Sequence, residues 1–379
     1  MADDARVWDV IVVGAGPAGS SAARTAASGG ASVLLIDRAE FPRYKTCAGG
    51  LIGASLANIP DSVLEVVEDR PHRAIFTRRG RDAVIIERPD PFLGMVDRQR
   101  FDAALLDAAV AAGATFRGRV TLREVRDAGT HVELETTGGV LRAKVVVGAD
   151  GSASRVARHV GVRYRLTDLG LEDEIRIDPS PWRGTILIDW GRVRGSYAWL
   201  FPKAEGVAIG VIQRTGDPDS ARAYLAEWRT RLGLDGVPAL HSSGHLTHSR
   251  DSGSPLRRGR VIVAGDAAGL LEPWLREGIS FALRSGIRAG EAAAAATDDP
   301  DRLDDYVYRI HDELEPEQRA GGLLLTGFEL FPRLIQWALA RRSTQRFFVR
   351  YGRAETTLAS FWRAGWIMRV GDLLARPFR

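Results

Sequence analysis

Cysteine is almost absent from this chain of 379 residues, in which Cys47 is the single example. One cysteine excludes an internal disulfide framework and a zinc site built on several cysteines. A chain without disulfides fits a reducing compartment, and the acidic beginning, with Asp3 and Asp4, shows no secretory signal. We therefore expect a cytoplasmic protein without a metal site.

Long apolar runs are also missing. The longest uncharged stretch near the N-terminus, residues 10–23, is interrupted by Gly14, Gly16, Pro17 and Gly19. No segment reaches the roughly 18 apolar residues that a membrane span requires. With 45% hydrophobic and 26% charged residues, the composition is typical of a globular protein, and the length allows two domains.

Lysine is scarce, so the basic side chains are nearly all arginine, and the net charge of +4 is small. We expect no nucleic-acid partner. Residues 333–379 nevertheless hold ten arginines against two acids, with interleaved aromatic residues: Trp337, Phe347, Phe348, Tyr351, Phe361, Trp362 and Trp366. This pattern suits an anionic membrane surface and predicts peripheral attachment at the inner face of the membrane. An ordinary amphipathic helix pair packed on the protein body is the alternative.

The first 37 residues have the pattern of a β-α-β unit. Residues 7–13 predict a buried strand, residues 18–28 a helix, and residues 31–36 a second strand that ends at Asp37. Such a unit predicts a parallel sheet with a right-handed crossover. The first turn has the sequence Gly14-Ala15-Gly16-Pro17-Ala18-Gly19.

The three glycines of this turn have distinct roles in dinucleotide binding. The first permits a tight turn, the second lets the backbone approach a pyrophosphate, and the third lets helix and strand pack closely. The helix N-terminus directs N–H groups and its positive dipole end at the phosphates, and Asp37 is placed to accept hydrogen bonds from ribose hydroxyls. The pattern predicts a dinucleotide site; a glycine-rich turn without a ligand is the alternative.

The rest of the chain predicts further strands and helices. Helices are predicted over 98–112 and 277–297, a hairpin over 131–147, and short strands over 185–190, 197–201, 207–213 and 261–264. The predicted fold class is α/β, with three parts. These are a discontinuous Rossmann-type domain (1–70, 95–160 and 255–300), an inserted antiparallel-sheet substrate domain (71–94 and 161–254), and a helical C-terminal region (301–379).

Three later segments resemble the FAD-dependent, aromatic-hydroxylase-like superfamily of monooxygenases and reductases. They are Arg98-x-x-Phe101-x-x-x-Leu105, Gly148-Ala149-Asp150-Gly151-x-x-Ser154 and Gly265-Asp266-Ala267-Ala268-Gly269. The resemblance implies non-covalently bound FAD, with Asp266 on the ribityl chain and a helix dipole near Gly278 directed at the flavin. The alternative is that Asp150 and Asp266 only cap turns.

Together these motifs define the expected FAD site. Its residues are Gly14, Ala15, Gly16, Pro17, Ala18, Gly19, Asp37, Arg38, Lys45, Cys47, Ala48, Gly49, Arg98, Asp150, Gly265, Asp266, Pro273, Gly278 and Ile279. No second Gly-x-Gly-x-x-Gly unit occurs in the sequence, so we expect no resident NAD(P) domain. The electrons must then come from a transient donor: NAD(P)H, a ferredoxin-like protein or a quinol.

The segment Tyr197-Ala-Trp199-Leu-Phe201-Pro-Lys203 resembles the Tyr-x-Trp-x-Phe-Pro-Lys signature of the geranylgeranyl reductase family. On a strand, the three aromatic side chains share one face. They would form an apolar wall for a polyprenyl chain and stabilise developing positive charge; ordinary core packing is the alternative. Lys203 is expected near a diphosphate or the flavin, or else solvated.

Two loops carry further resemblance to that family. The segment around Lys45, Cys47 and Ala48 is similar to its Pro-Arg-x-Lys-x-Cys-Gly stretch beside the isoalloxazine ring, with Ala48 interrupting the glycines. Cys47 is then a hypothetical proton donor or its positioning group, or else a small packing residue. In the loop before the last flavin helix, Trp274 is a candidate cavity residue, and Arg276 stands where the family commonly has glycine.

The resemblance implies a reductase of lipid biosynthesis that saturates carbon–carbon double bonds of geranylgeranyl diphosphate, a prenylated lipid or a quinone tail. Cys47, Tyr197 and Trp199 are the expected catalytic residues; Tyr197, Trp199, Phe201, Lys203 and Trp274 are expected to contact the substrate. The proton donor stays open among Cys47, Tyr197 and an ordered water. The alternatives are an FAD-dependent monooxygenase or halogenase of an aromatic substrate and a non-catalytic prenyl-lipid binding protein.

Overall fold

The computed structural model describes residues 6–214 and 218–360. Its strands are β1 (Val7–Val13), β2 (Val33–Ile36), β3 (Gly50–Ile52), β4 (Val67–Asp69), β5 (Arg73–Arg78), β6 (Arg81–Glu87), β7 (Leu93–Val96), β8 (Thr115–Arg117), β9 (Leu122–Asp127), β10 (Val132–Thr136), β11 (Gly139–Gly148), β12 (Tyr164–Ile175), β13 (Thr185–Trp190), β14 (Tyr197–Lys203), β15 (Gly206–Arg214), β16 (His241–Arg250), β17 (Arg257–Arg258) and β18 (Val261–Val263). Its α-helices are α1 (Pro17–Ser28), α2 (Gly53–Leu56), α3 (Asp61–Leu64), α4 (Arg98–Ala111), α5 (Arg155–Val160), α6 (Pro218–Arg231), α7 (Ile279–Ala295), α8 (Leu303–Glu313), α9 (Glu315–Leu330), α10 (Pro332–Leu339) and α11 (Arg342–Gly352).

The first sheet has the Rossmann-type arrangement that the β-α-β pattern predicts. Its order is β17-β18-β11-β1-β2-β8, and β1 runs parallel to both β2 and β11. The residues of β2 are fully buried, as expected for a parallel strand covered on both faces. A Cβ on Gly19 would lie 1.7 Å from the carbonyl oxygen of Gly14. Only glycine therefore permits this close packing of α1 against the turn.

The second sheet has seven strands in the order β16-β12-β15-β14-β13-β5-β6. All neighbours are antiparallel except β13 and β5, which run parallel. A third, small sheet is formed by β3, β7 and β4. Strand β16 is an edge strand rich in histidine and serine. It was not predicted from the sequence, because its residues do not alternate between apolar and polar.

The C-terminal helices cover one end of the second sheet. Gln336 of α10 donates hydrogen bonds to the carbonyl oxygens of Phe76 and Asp82, and Phe348 of α11 packs edge-on against Phe76 and Phe92. Within residues 6–214 and 218–360, none of the helices combines the length and apolar character needed to cross a bilayer. Phe361, Trp362 and Trp366 of the predicted basic tail lie outside the described residues.

Candidate functional site

A cavity of about 830 Å³ lies between the Rossmann-type sheet and one face of the seven-stranded sheet. Most residues predicted for the FAD site line it: Gly14, Gly16, Pro17, Ala18, Asp37, Arg38, Lys45, Cys47, Ala48, Gly49, Arg98, Asp150, Asp266, Gly278 and Ile279. The residues predicted at the substrate side that line it are Tyr197, Trp199, Phe201 and Trp274. The structure thus brings the two predicted groups to opposite sides of one space.

The turn between β1 and α1 has the features of a phosphate cradle. Among the residues that the structure describes, none caps the start of α1 with its side chain, and Pro17 is the first residue of this helix. The nearest atom to a Cβ on Gly16 would be Nη2 of Arg43, at 3.6 Å, so the space beside this backbone is open. Asp37 accepts hydrogen bonds from the N–H groups of Ala15 at 2.7 Å and Ala39 at 2.8 Å, which fix its carboxylate at the end of β2. These residues fit an adenosine ribose and a pyrophosphate.

A buried ion cluster supports the middle of the cavity. Arg98 donates two hydrogen bonds to Asp102, at 2.8 and 2.9 Å, and Arg43 binds the same carboxylate at 3.0 Å. Asp102 is fully buried, so it holds two arginines beside the cofactor side of the cavity. Arg98 was predicted for the site from its motif, whereas Asp102 was not, although the spacing of four residues on one helix face is a signal that pairs them.

Asp266 lies at the predicted flavin end, opposite His245 of β16. His245 Nε2 is 3.6 Å from Asp266 Oδ2. Burial alone would raise the pKa of Asp266, but hydrogen bonding and charge from His245, with the charges of Lys45 and Arg98, hold it below its ordinary value. Burial lowers the pKa of Lys45 to about 8. His245 was not predicted for the site, because the polar sequence of β16 does not have the pattern of a strand.

Asp150 caps the turn at the start of α5, which was the alternative role considered for it from the sequence. It accepts hydrogen bonds from the Ser154 hydroxyl and, at 2.7 Å, from the Arg155 N–H group at the start of α5. Burial raises its pKa. Asp150 also lines the cavity, so its predicted contact with FAD stays a prediction beside this observed cap.

Five predicted site residues do not line the cavity: Ala15, Gly19, Gly265, Pro273 and Lys203. The ammonium of Lys203 is buried and donates to the carbonyl oxygen of Val96 at 2.9 Å. It would also lie 2.7 Å from a Cβ on Gly49, which places it beneath the loop that follows Cys47. The geometry therefore gives Lys203 a supporting role, and its contact with a substrate stays a prediction.

The aromatic wall, defined as Tyr197, Trp199 and Phe201, lies on the cavity face of β14. The ring centroids of Tyr197 and Trp199 are 6.1 Å apart, at an interplanar angle of 61°. Apolar side chains from other elements continue this surface: Phe76, Ile186, Ile188, Trp190, Phe328 and Phe348. The cavity therefore has one continuous apolar side.

The Tyr197 hydroxyl is engaged with the main chain. It donates a hydrogen bond to the carbonyl oxygen of Leu275 at 2.5 Å, and burial raises its pKa. The loop beyond is held by Arg276, whose positive φ of 54° is a conformation that glycine adopts freely. Arg276 bonds to the carbonyl oxygen of Gly195 at 2.8 Å and faces the buried Asp168 at 3.4 Å. Arg276 also lines the cavity, and its guanidinium carbon lies over the Tyr197 ring, 5.5 Å from the ring centroid.

Cys47 lies in the cavity beside a carboxyl group that sequence analysis missed. The Cys47 N–H group donates to Oε1 of Glu172 at 3.0 Å, and the Gly49 N–H group donates to the Cys47 sulfur at 3.4 Å. Glu172 is 1% exposed and lines the cavity. Burial raises its pKa to about 7. No short motif joins these residues, because Glu172 belongs to β12, far along the chain.

Comparison with known proteins agrees with this geometry. The FAD binding domain family model matches residues 7–313. The chain is 33% identical to geranylgeranyl diphosphate reductase of Rhodobacter capsulatus, over 76% of this chain and 75% of that protein. It is 31% identical to digeranylgeranylglycerophospholipid reductase 1 of Methanopyrus kandleri, over 82% of this chain and 87% of that protein.

Solved structures share the fold at lower identity. A geranylgeranyl bacteriochlorophyll reductase-like protein from Thermoplasma acidophilum aligns with a TM-score of 0.73 at 21% identity, covering 94% of this chain and 93% of its own. A flavin-dependent brominase aligns with a TM-score of 0.77 at 20% identity, covering 99% and 100%. The family match and the sequence relatives confirm FAD as the cofactor, and the chain belongs to the geranylgeranyl reductase family of FAD-dependent oxidoreductases.

Proposed function

We propose that this protein is a reductase that saturates carbon–carbon double bonds of a prenyl chain. The observation that carries the proposal is the aromatic wall, which lies across a single cavity from the FAD cradle. An extended apolar side suits a polyprenyl chain, and the names of the relatives describe enzymes of geranylgeranyl compounds. We propose that the chain is divided into three parts. A Rossmann-type domain binds FAD on one side of the cavity, a sheet domain binds the substrate on the other side, and a helical C-terminal region completes the chain.

The protein's own residues hold the alkene and shape its surroundings. Bound FAD, once reduced by a transient donor, supplies a hydride. The aromatic wall positions the apolar chain and excludes water from it, and its π faces stabilise positive charge that develops on a tertiary carbon. Tyr197 acts through its ring, because its hydroxyl proton is directed at the Leu275 carbonyl oxygen. Cys47 borders the reacting region on the cofactor side.

We further propose that the protein works at the surface of an anionic membrane. Leu330, Phe331, Leu334 and Trp337 are each at least half exposed and form what we call the apolar patch. Exposed arginines surround it: Arg333, Arg341 and Arg342. Phe328, one helical turn from the patch, lines the cavity. Apolar groups flanked by arginine suit a lipid interface, and such a surface would give a membrane-resident prenyl chain a short path inward.

The reaction class is tested by anaerobic turnover. The FAD-loaded protein is reduced with dithionite and incubated with geranylgeranyl diphosphate, a digeranylgeranyl glycerophospholipid or a prenylated quinone. We expect a product that gains two hydrogen atoms per reduced bond by mass spectrometry, from at least one substrate. An oxygen-dependent hydroxylated or halogenated aromatic product, with no anaerobic reduction of any prenyl compound, would overturn the proposal.

A matched pair of variants tests the aromatic wall. Phe201→Ala removes a wall ring, and we expect the prenyl KM to rise roughly tenfold, the effect of losing about 1.5 kcal/mol of apolar contact. Phe116→Ala removes a ring that packs on Phe41 outside the cavity, so the KM should stay unchanged. Equal effects of the two variants, with FAD absorbance intact, would contradict a wall that contacts substrate.

A further inference from the structure

One row of residues crosses the seven-stranded sheet on the cavity side. Trp199 of β14 and Glu172 of β12 both pair with Gly210 of β15. Directly paired residues share a face of the sheet, so these two side chains flank a glycine. Ser243 of β16 follows as the next neighbour of Glu172. The row therefore joins the aromatic wall to a carboxyl group.

Gly210 lets Trp199 reach across the row toward Glu172. A Cβ on Gly210 would lie 2.1 Å from Cζ2 and 2.5 Å from Cη2 of Trp199. The indole therefore covers the space that any side chain at position 210 would fill. Consequently the acid and the large apolar ring are neighbours inside the cavity, although they come from strands that do not pair with each other.

Two polar atoms in this row are buried without a partner among the described residues: Oε2 of Glu172 and Nε1 of Trp199. The other oxygen of Glu172 is occupied by the Cys47 N–H group. A buried polar atom without a hydrogen bond is unfavourable, because it has lost its water partners and gained none in the protein. Two such atoms at neighbouring positions of one cavity point to an occupant in contact with them, and they leave Oε2 as the position for a carboxylic proton.

The surroundings keep that proton on the carboxyl group near neutral pH. Burial makes the largest contribution and raises the pKa of Glu172 to about 7; Glu174 acts in the same direction, while Lys203, Lys45 and the Cys47 N–H group oppose it. On the neighbouring strand, the Ser243 hydroxyl bonds to Tyr44 and Thr46 and adds no charge. An acid whose pKa lies near the working pH is well suited to give and regain a proton.

We propose, on the premise of the prenyl reduction above, that Glu172 is the general acid of the reaction. The O–H bond of the Glu172 carboxyl breaks as the π electrons of the alkene form a new C–H bond. The other alkene carbon receives a hydride, so the alkene is reduced by two electrons and the reduced FAD is oxidised by two. The carboxylate then regains a proton from water after the product leaves. Cys47 positions the carboxyl through its N–H group.

The test compares two isosteric variants on one strand. Glu172→Gln keeps an oxygen acceptor for Cys47 but has no acidic proton, and we expect anaerobic prenyl reduction to fall about 100-fold or more, with FAD retained. Glu174 is half-buried two residues along β12 and does not line the cavity. Because the charge of Glu174 helps to keep the proton on Glu172, the control is assayed at about pH 6, where Glu172 stays protonated, and Glu174→Gln should there stay within about twofold of the unmodified protein. The reduction rate of the unmodified protein should fall as pH rises through about 7, because only the protonated Glu172 carboxyl can donate a proton.

A second measurement reads the carboxyl group without turnover. The raised pKa means that the folded state binds this proton more tightly than the unfolded state, so stability is lost as pH rises through about 7. The Tm of the FAD-loaded protein should therefore fall less between about pH 5 and about pH 8 in Glu172→Gln, because the loss runs from the ordinary pKa of 4.5 up to the raised pKa of about 7. An unmodified protein that reduces no prenyl compound overturns the proposed function. An active protein whose Glu172→Gln variant reduces at the same rate, or with the same pH profile, overturns only the role of Glu172.

Discussion

The two sides of the cavity are built in different ways. On the cofactor side, the functional residues stand where strands of the Rossmann-type sheet end: Gly14 after β1, Asp37 after β2 and Asp266 after β18. On the substrate side, they stand in the middle of strands and share one face of the seven-stranded sheet. Main-chain geometry therefore positions the first group, while strand register and side-chain shape position the second.

The two sides of the cavity also differ in how their charged and polar groups are paired. The cofactor side holds charges in pairs, such as Arg98 with Asp102. The substrate side is mostly apolar, apart from the buried pair of Arg276 and Asp168 and from Glu172, whose carboxyl has a raised pKa and one oxygen without a partner among the described residues. We therefore expect the cofactor side to be sensitive to a change of charge and the substrate side to a change of volume.

Removing the charge of Asp102 should have the largest effect. Asp102→Asn leaves Arg98 and Arg43 without their buried carboxylate, and breaking a buried ion pair costs about 3–5 kcal/mol. We expect this loss in the free energy of unfolding, measured with urea, together with loss of bound flavin absorbance. Asp107→Asn changes an exposed acid on the same helix and should change neither value. Equal behaviour of the two variants would show that the cluster does not support the cofactor side.

A single methyl group tests the substrate side. The Cβ of Gly210→Ala would meet the Trp199 ring and, at 2.5 Å, the carbonyl oxygen of Leu171. Overpacking of this kind costs about 1–3 kcal/mol, and Trp199 must move. We expect reduced stability and slower prenyl reduction with FAD still bound. In Gly170→Ala the nearest contact is 3.7 Å, so stability should be retained; a similar loss there would contradict the special packing at Gly210.

The same difference explains how much could be predicted from sequence. Gly14, Gly16 and Asp37, which were predicted for the cofactor site, line the cavity, because a turn between a strand and a helix is a local feature of the chain. The strand that carries Tyr197 was also predicted, since its aromatic residues alternate. Local patterns therefore identified the cofactor turn and the aromatic wall.

Residues that depend on strand pairing were missed. Glu172 meets Cys47 across 125 positions, and His245 faces Asp266 from a polar edge strand without an apolar pattern. The pairing register between such strands is set by the assembled sheet, so it cannot be predicted from a short sequence motif. The sequence left Lys203 either near a ligand or solvated; its ammonium is buried and bonds to the Val96 carbonyl oxygen, and its contact with a ligand stays a prediction.

The pH dependence of protein stability tests whether buried Glu272, in the loop that carries Trp274, is protonated. Glu272 is fully buried, accepts the N–H groups of Trp274 and Leu275, and has its pKa raised by burial to about 7 from 4.5. Its stabilisation is complete below the lower value and is lost as pH rises through the higher one. Each such group contributes at most about 1.4 kcal/mol per pH unit.

We therefore expect the urea midpoint of the protein to fall between about pH 5 and about pH 8. Glu272→Gln should lower the midpoint by loss of one hydrogen bond and flatten its pH dependence, because an amide does not titrate. Glu65→Gln, at an exposed position, should keep the original slope. A slope unchanged in Glu272→Gln would mean that the buried carboxyl is not protonated in the folded protein.

The apolar patch tests whether the apolar side of the cavity continues to a membrane. Arg341 lies over the Trp337 ring at 4.0 Å, a pairing of cation and aromatic ring that suits an anionic lipid surface. We expect Trp337→Ser to reduce sedimentation with phosphatidylglycerol-containing vesicles about fivefold, as the loss of about 1 kcal/mol of apolar contact implies, and salt to weaken binding further. Tyr308→Ser removes a ring that is 71% exposed on α8, outside the patch, and should bind as before. Equal binding of both variants would place any membrane contact elsewhere, and the cavity would then need another route for its substrate.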